Sequence, residues 1–282
     1  MLINPVVYLH GGLGNQLFQY HFALVLKSQH NVKVSLDTSI YKTLLETRKP
    51  SLFKLISPEL SVEDSNVIRF LGNKIQNKIG YHYFLETDQT YTSKSKLKHF
   101  YYGYWQSQYI QNNILKKIRA NILEIHLDSL SQKKNYNISP EDVAIHVRRG
   151  DYLSKKNRNI YQCLSENYYK DSLQLLQNVA DINRVFVFSD DVNWCRENLR
   201  LKYETVFVDW NANEIDDFVD LLRFRRKILS NSTFSFWSAL LTNCSENIVV
   251  PHSWKKNDDW RPKYLQSWIV SKDLSQNAHH YL

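Results

Sequence analysis

The sequence predicts an α/β protein with parallel strands in two domains, residues 1–137 and 138–282. Its 282 residues exceed what one ordinary core needs and suit two compact domains. From residue 143 onward, short β-branched and aromatic runs alternate with longer segments that have helical spacing. That alternation is typical of a doubly wound parallel sheet, which we therefore expect in the second domain.

The first domain opens with a strand over Val6–His10, followed by the glycine-rich run Gly11–Gln16. A helix is predicted over Gln16–Ser28, because its apolar residues recur at steps of three and four. A second strand follows over Val32–Asp37. Residues 40–100 are polar and basic with weak periodicity, and we expect helices and loops that decorate this domain.

The second domain is more regular. Strands are predicted at Val143–Val147, Val185–Phe188, Thr205–Val208, Ile228–Ser230 and Ile248–Val250. Helices are predicted at Glu166–Val179, Asn193–Leu199, Glu214–Arg225 and Phe234–Leu241. The tryptophan-bearing tail, residues 252–282, is expected to pack back on one or both domains.

Composition excludes several classes of protein. Hydrophobic residues make up 43% of the chain and charged residues 23%, and no apolar run approaches the ~18 residues of a membrane span. The first residues lack the basic and apolar regions of a secretory signal. Cys163, Cys195 and Cys244 are widely spaced, which predicts neither a disulfide framework nor a metal knuckle. We expect a cytoplasmic protein.

The net charge of +8 leaves two interpretations open. A positive excess suits a partner that carries phosphate, whether a nucleotide, a nucleic acid or an anionic membrane surface. It is also what solvated surface lysines alone produce.

Glycine usage points to two particular places. The chain has only seven glycines, and four of them lie in the runs Gly11–Gln16 and Arg148–Asp151. Glycine is favoured where the backbone turns tightly or approaches a ligand closely. We therefore count Gly12, Gly14 and the adjoining Gln16 among the candidate substrate-binding residues.

Ligands of parallel α/β sheets bind beyond the carboxyl ends of the strands, so those ends identify further candidates. Arg148 and Arg149 follow one strand, and a guanidinium can hold a pyrophosphate through two hydrogen bonds. Asp151 is placed to fix one of these arginines. A structural arginine–aspartate ion pair is the alternative interpretation.

Two other strand ends carry polar residues. Asp190 and Asp191 can accept hydrogen bonds from a base or a ribose, and helix capping is the alternative role. Ser232 and Thr233 begin a helix, where hydroxyls and backbone N–H groups form a phosphate seat, or where Ser232 or Thr233 is an ordinary N-cap. Together these ends predict a nucleotide diphosphate site.

No metal cofactor is expected. The sequence has neither a His-x-x-x-His pair on a helix nor a Cys/His knuckle. Asp190-Asp191 resembles the DxD element of metal-dependent glycosyltransferases, but the twin arginines indicate that arginine supplies the positive charge.

These motifs resemble those of the α-1,2-fucosyltransferase family, glycosyltransferase family 11. The resemblance runs from about residue 7 to residue 250, in family order, through the segments Gly11–Tyr20, Gly103–Ser107, His146–Tyr152, Phe186–Asp191 and Ser230–Trp237. It implies a GT-B-like enzyme with two Rossmann-like domains facing a cleft. Such an enzyme transfers L-fucose from GDP-β-L-fucose to O2 of a terminal β-galactose with inversion and without a metal.

The resemblance also implies roles for residues. Arg148 would contact the β-phosphate, and His146 with Asp190 or Asp191 would face the guanine or ribose. Ser232, Thr233 and Ser235 would line the phosphates, and Asn15 would reach the reaction centre.

The catalytic base and the acceptor are less defined. The stretch after Asp151 contains no acid, so Asp151 is the fallback base, and transfer driven by leaving-group stabilisation alone is the alternative. Trp105, beside Tyr104, is a candidate for stacking on the galactose ring, with a place in the core as its other interpretation.

We expect a β-galactoside acceptor, carried on a lipid at the inner membrane face, and only peripheral membrane association. A different nucleotide-sugar transferase and a basic nucleic-acid-binding protein remain open, although the placement of basic residues at strand ends favours the enzyme.

Overall fold

The computed structural model describes residues 4–42, 48–64, 83–85, 97–106, 110–132, 137–242, 246–256, 262 and 265–271. The chain divides into two compact units, Met1–His126 and Leu127–Leu282. The boundary expected after residue 137 stays a prediction. Within the described ranges, no helix is long and apolar enough to cross a membrane.

The N-terminal unit is built on a parallel sheet of five short strands. These strands are β1 Val6–Tyr8, β2 Ser35–Asp37, β3 Ser61–Glu63, β4 Tyr83–Leu85 and β5 Phe100–Tyr102, in the spatial order β3-β2-β1-β5-β4. All of their pairings are parallel. Because β1 pairs with β2 on one side and β5 on the other, the ends of β1 and β5 lie next to each other.

Helices α1 Leu13–His30 and α2 Leu52–Leu55 belong to this unit, and α3 Asn112–Gln132 begins in it. Every residue of α1 from Gln16 to Leu26 is buried, so the helix lies inside the unit. It ends at Asn31, which adopts the left-handed conformation that commonly terminates helices.

The expectation of helices and loops over residues 40–100 needs correction. This region contributes β3, β4 and the first residue of β5 to the sheet, each strand only three residues long. A three-residue strand is too short to show alternation, and all of β3 is exposed at the sheet edge, so it carries no buried face. Much of the region, including residues 65–82 and 86–96, lies outside the described residues.

The C-terminal unit follows the predicted alternation. Its strands are β6 Val143–Val147, β7 Arg184–Ser189, β8 Glu204–Phe207, β9 Arg226–Ile228, β10 Ile248–Pro251 and β11 Ile269–Ser271. Its helices are α4 Glu166–Gln177, α5 Val192–Asn198, α6 Glu214–Leu221 and α7 Thr233–Leu241. Strand β11 comes from the tail, where Trp268 packs against Phe236 with ring centroids 5.6 Å apart.

All six strands are parallel and lie in the order β11-β10-β9-β6-β7-β8. Alternate residues of β6 point to opposite faces. Val143, Ile145 and Val147 pack in one core cluster, and Ala144 packs in another. Both faces are therefore covered, as in a doubly wound sheet. The strand order reverses direction between β6 and β9, and this switch point is where such sheets bind ligands.

Candidate active site

The predicted site residues fall into two groups, one in each unit. The larger group lies at the carboxyl edge of the C-terminal sheet, on the segments that follow β6, β7 and β9. Strand β6 is buried along its whole length, and the chain reaches the surface only at Arg148. Polar side chains thus begin where the sheet ends, at the switch point.

Arg148 bridges two carboxylates. Its Nη2 donates to Asp151 Oδ1 at 2.6 Å, and its Nη1 lies 2.8 Å from Asp190 Oδ2. Its side chain is about one quarter exposed, at 25%. Burial alone would lower the pKa of Arg148, but the carboxylates of Asp190 and Asp151 outweigh that effect and raise it. The guanidinium is a permanent cation that two ion pairs hold in place.

Arg149 pairs with Asp191, so Arg148 is the arginine that Asp151 fixes. Its Nε donates to Asp191 Oδ2 at 3.2 Å, and its guanidinium carbon lies over the Trp194 ring, 3.7 Å from the centroid. Cation–aromatic contact of this kind favours arginine over lysine. Arg149 thereby ties the segment after β6 to the start of α5.

Asp190 and Asp191 have different structural roles. Asp190 uses both oxygens toward the twin arginines, because Oδ1 accepts from the backbone N–H of Arg149 at 2.9 Å and Oδ2 pairs with Arg148. Asp191 Oδ1 accepts from the N–H of Trp194 and caps α5. Of the two, Asp190 is the one that fixes Arg148.

Gly150 makes this arrangement sterically feasible. A Cβ atom at Gly150 would lie 2.6 Å from Asp190 Oδ2, much closer than real Cβ atoms approach other atoms. The sequence marks this glycine through its place in the run Arg148–Asp151, but it gives no sign of the neighbour that requires it.

His146 lies at the end of β6 and is neutral at physiological pH. Its Nδ1 is 2.7 Å from Ser230 Oγ, and its ring lies 5.3 Å from that of Phe234. Burial, together with the nearby charge of Arg148, lowers the pKa of His146 to about 3. Nε2 has no hydrogen-bond partner within the described part of the chain, so it remains able to bond a ligand.

The hydroxyl-rich turn after β9 is mostly used by the protein itself. Ser232 Oγ accepts from the N–H of Phe234 and caps α7. Ser235 is fully buried and donates to the carbonyls of Ser230 and Ser232, so it supports the turn and does not face a ligand. Thr233 is partly exposed, and its hydroxyl has no hydrogen-bond partner among the described residues.

Tyr152 and Asn231 form a junction that the sequence did not identify. Tyr152 Oη donates to the carbonyl of Asn231 at 2.7 Å, and its ring stacks on Tyr161 at 4.7 Å. Asn231 is buried, and its Nδ2 donates to the carbonyls of Gln162 and Trp254. One side chain thus connects three segments around the switch point. The only available signal was that both residues lie within strand-end motifs.

The second group lies in the N-terminal unit, around the ends of β1 and β5. Asn15 Oδ1 accepts from Gln106 Nε2 at 2.8 Å, which joins the first turn of α1 to the segment after β5. Gly12 and Asn15 are the partly exposed positions of this turn. Gly11 has φ +76°, a conformation that favours glycine, and a Cβ there would lie 2.7 Å from Asn15 Nδ2.

The prediction that residues of this group contact the substrate needs correction at three positions, Gln16, Gly14 and Trp105. Gln16 is buried and accepts from the backbone N–H groups of Ser51 and Leu52, so it holds α2 in place. Gly14 is buried within α1.

Trp105 is fully buried and stacks on Phe22 at 3.9 Å, so its ring belongs to the core and cannot pack on a sugar. Its neighbour Tyr104 is 42% exposed, with its ring 4.4 Å from that of His10.

A metal site is not evident among these side chains. Across the described ranges, no group of three histidine, cysteine or acidic residues is arranged to hold a metal ion. Asp151, Asp190 and Asp191 are each paired with an arginine.

Comparison with known proteins finds a family model and several relatives that match most of this chain. A family model described as "Glycosyl transferase family 11" matches residues 6–272. An "Alpha-1,2-colitosyltransferase" of Escherichia coli is 27% identical over 274 residues, covering 90% of this chain and 93% of the relative. The "O-antigen biosynthesis glycosyltransferase WbnK" of the same species is 25% identical, with 93% and 98% covered. A rat "Galactoside alpha-(1,2)-fucosyltransferase 1" is 24% identical, with 94% and 72% covered.

Solved structures agree at the level of fold. Fucosyltransferase NodZ from Bradyrhizobium superposes with a TM-score of 0.52 at 11% identity, covering 85% of this chain and 93% of NodZ. NodZ α-1,6-fucosyltransferase co-crystallised with GDP gives 0.53 at 12% identity, with 85% and 92% covered. The predicted fold class, an α/β protein of GT-B type with parallel sheets, is confirmed.

Proposed function

This chain belongs to glycosyl transferase family 11, and on that premise we propose that it transfers L-fucose from GDP-β-L-fucose to O2 of a terminal β-galactose. The transfer inverts the anomeric centre and needs no metal ion. Relatives named as α-1,2-fucosyltransferases and an α-1,2-colitosyltransferase support the linkage. The relative named for O-antigen biosynthesis supports a role in assembling surface polysaccharide.

The observation that carries the proposal is the position of Arg148 at the switch point. A guanidinium has five N–H donors, and two of them serve Asp151 and Asp190. Three remain for the β-phosphate of the donor. As the bond between C1 of fucose and the phosphate oxygen breaks, its electron pair moves to that oxygen, and the fixed cation stabilises the developing charge.

The acceptor hydroxyl attacks C1 from the face opposite the departing GDP, which inverts the configuration. Its proton must go to a base, and Asp151 is the candidate because its carboxylate lies beside Arg148 and is about one third exposed, at 34%. If Asp151 takes this proton, Asp151→Asn lowers kcat while GDP binding changes little, because the amide oxygen can still accept from Arg148. If kcat is retained, the proton passes to water and leaving-group stabilisation carries the reaction.

His146 and Thr233 complete the proposed donor site. The unpartnered Nε2 of neutral His146 suits a hydrogen bond to the guanine or ribose. The hydroxyl of Thr233 and the backbone N–H groups at the start of α7 suit a phosphate. The N-terminal unit, taken by itself, offers Asn15 and the exposed ring of Tyr104 for contact with a sugar.

The proposed independence from metal ions follows from the positive charge of Arg148. Arg148 supplies the cation that a divalent metal provides in other transferases, and the nearby carboxylates already accept from arginines. The free thiols of Cys163 and Cys195 suit a reducing cytoplasm, which is the compartment we propose.

Calorimetry against GDP, UDP, CMP and ADP tests the donor. We expect GDP to bind and the other three nucleotides to bind weakly or not at all, and equal binding of all four would contradict the proposal.

NMR of the product made from GDP-fucose and a β-galactoside tests the linkage. Fucose at a position other than O2 would overturn the regiochemistry. A nucleic-acid-binding protein would instead bind single strands with steep salt dependence and no preference for GDP.

A second candidate donor is GDP-colitose, because the relative named as a colitosyltransferase covers nearly the whole chain. Colitose is fucose without its 3-hydroxyl. A site that hydrogen-bonds this hydroxyl rejects the deoxy sugar strongly, by as much as about 10⁴-fold. Competition between the two donors for one acceptor therefore identifies the natural one.

A further inference from the structure

One exposed loop of the C-terminal unit has no role in the proposed sugar transfer. It comprises Leu153–Ile160 and follows the short 3₁₀ turn after β6. Lys155, Lys156 and Arg158 give it a charge of +3, and it contains no acidic residue. We call this segment the basic loop.

The three cations of the basic loop have no salt-bridge partner within the described ranges. All three are exposed, whereas Arg148, Arg149, Arg184 and Arg196 of the same unit are each paired with an aspartate. Three like charges within four residues concentrate positive potential on one surface, and such a surface attracts a polyanionic partner.

Backbone hydrogen bonds hold the basic loop in a defined conformation. The N–H of Arg158 donates to the carbonyl of Ser154 at 2.9 Å, and Asn157 Nδ2 donates to the carbonyl of Asp151 at 3.1 Å. The N–H of Lys256 donates to the carbonyl of Ile160, next to an antiparallel bridge between Tyr161 and Lys255. The cations are therefore presented together on an ordered surface that follows the carboxyl end of β6.

Large aliphatic side chains flank the cations. Leu153 is 51% exposed and Ile160 is 45% exposed, one at each end of the loop. Aliphatic side chains next to lysine and arginine suit the boundary between lipid headgroups and acyl chains. A surface for single-stranded nucleic acid would instead offer aromatic side chains to the bases, whereas the tyrosines next to the loop, Tyr152 and Tyr161, stack on each other.

We propose that the basic loop docks the protein on the anionic headgroup surface of a lipid bilayer. Lys155, Lys156 and Arg158 contact the headgroups, and Leu153 and Ile160 enter the boundary region. Docking brings the carboxyl edge of the C-terminal sheet close to acceptors held at the membrane. The proposal goes beyond sugar transfer and does not depend on which donor is used.

Flotation with vesicles of phosphatidylglycerol and phosphatidylcholine, against vesicles of phosphatidylcholine alone, tests the proposal. The test variant is Lys155→Gln/Lys156→Gln/Arg158→Gln. Its matched control is Lys170→Gln/Lys202→Gln/Arg200→Gln, which removes two lysines and one arginine from a groove elsewhere in the same unit. A third variant, Leu153→Ser/Ile160→Ser, keeps the charge. Circular dichroism verifies that each variant is folded.

We expect the protein to bind only the anionic vesicles. The loop triple variant should lose about 10²-fold in affinity, since each basic residue near such a surface contributes severalfold, and the control triple variant should lose much less. The aliphatic variant should lose about tenfold. Equal losses of affinity in the two triple variants would show that net charge alone explains vesicle binding, and would overturn the proposal. Unchanged binding of the loop variant, or equally tight binding of single-stranded DNA through the loop, would also overturn it.

Discussion

Substitution of Gly150 by alanine tests whether the fixed position of Arg148 matters for activity. The backbone at Gly150 lies outside the left-handed region, so alanine fits its conformation. The new Cβ, however, would lie 2.6 Å from Asp190 Oδ2, and ordinary contact begins at 3.4 Å. The carboxylate must therefore move by about 0.8 Å.

Asp190 cannot move that far and keep both of its bonds. Its Oδ1 is held at 2.9 Å by the N–H of Arg149, and its Oδ2 is held at 2.8 Å by Arg148 Nη1. Loss of either bond releases one side of the Arg148 guanidinium. A misplacement of about 1 Å in a reacting constellation costs on the order of 10²-fold in rate, so we expect kcat to fall by about that factor.

A double-mutant cycle with Asp190→Ala isolates this contact. Alanine at position 190 has no Oδ2, so adding Gly150→Ala to that background should reduce kcat by less than about threefold more. Turnover would be followed by GDP release, and circular dichroism would verify folding. Near-wild-type activity of Gly150→Ala would refute the reasoning, as would an equal loss in both backgrounds.

Four further predictions follow from the same geometry. Arg148→Lys should lower kcat by about 10²–10³-fold, because an ammonium cannot bridge two carboxylates and also reach a phosphate, whereas Arg149→Lys should cost about tenfold or less. Similar losses in GDP release assays would contradict this assignment. The pKa of His146 is lowered from 6.5 to about 3, so between these pH values His146 is protonated in the unfolded chain and neutral in the folded protein. The free energy of unfolding should therefore fall as the pH drops from 6.5 to about 3. Urea titrations should show a shallower pH dependence for His146→Gln, and an unchanged slope would count against a buried neutral imidazole. Activity should persist in excess EDTA, and loss that Mn²⁺ restores would assign the acidic residues to a metal. Trp105→Ala should lower the free energy of unfolding by about 3–5 kcal/mol. Tyr104→Ala should leave stability nearly unchanged and weaken acceptor binding. Thermal melts measure the first effect, and the KM for the acceptor measures the second.

The sequence predicts the centre of the C-terminal sheet well because β6 and β7 are its longest strands and are buried along most of their length. Val143–Val147 carries five consecutive buried residues, and no short surface segment imitates that pattern. The N-terminal sheet is harder to predict, since β3 is three exposed residues that only pairing with β2 identifies as a strand. The helix Asn112–Gln132 is absent from the prediction although the sequence carries its signal, because the buried residues Ile114, Ile118 and Ile122 recur at four-residue steps.

For the site, residue types indicate chemistry and three-dimensional contacts decide roles. The run Arg148–Asp151 correctly predicts an arginine fixed by Asp151, but which arginine is fixed depends on Asp190, which lies on another strand. Trp105 and Tyr104 are adjacent and equally aromatic, and only burial shows that the first packs in the core. Asn231 joins segments far apart in the chain, so no local pattern could indicate its role.

The two ion pairs of Arg148 also determine when its conformational entropy is lost. A free arginine side chain samples many rotamers, and immobilising it costs up to about 2 kcal/mol. Here Asp151 and Asp190 immobilise the side chain as the protein folds, so this entropy loss is part of the free energy of folding. An arriving anion therefore meets a guanidinium that is already in place, and its binding free energy is not reduced by the ordering of that side chain. When the anion leaves, the side chain stays ordered and the site is ready for the next ligand.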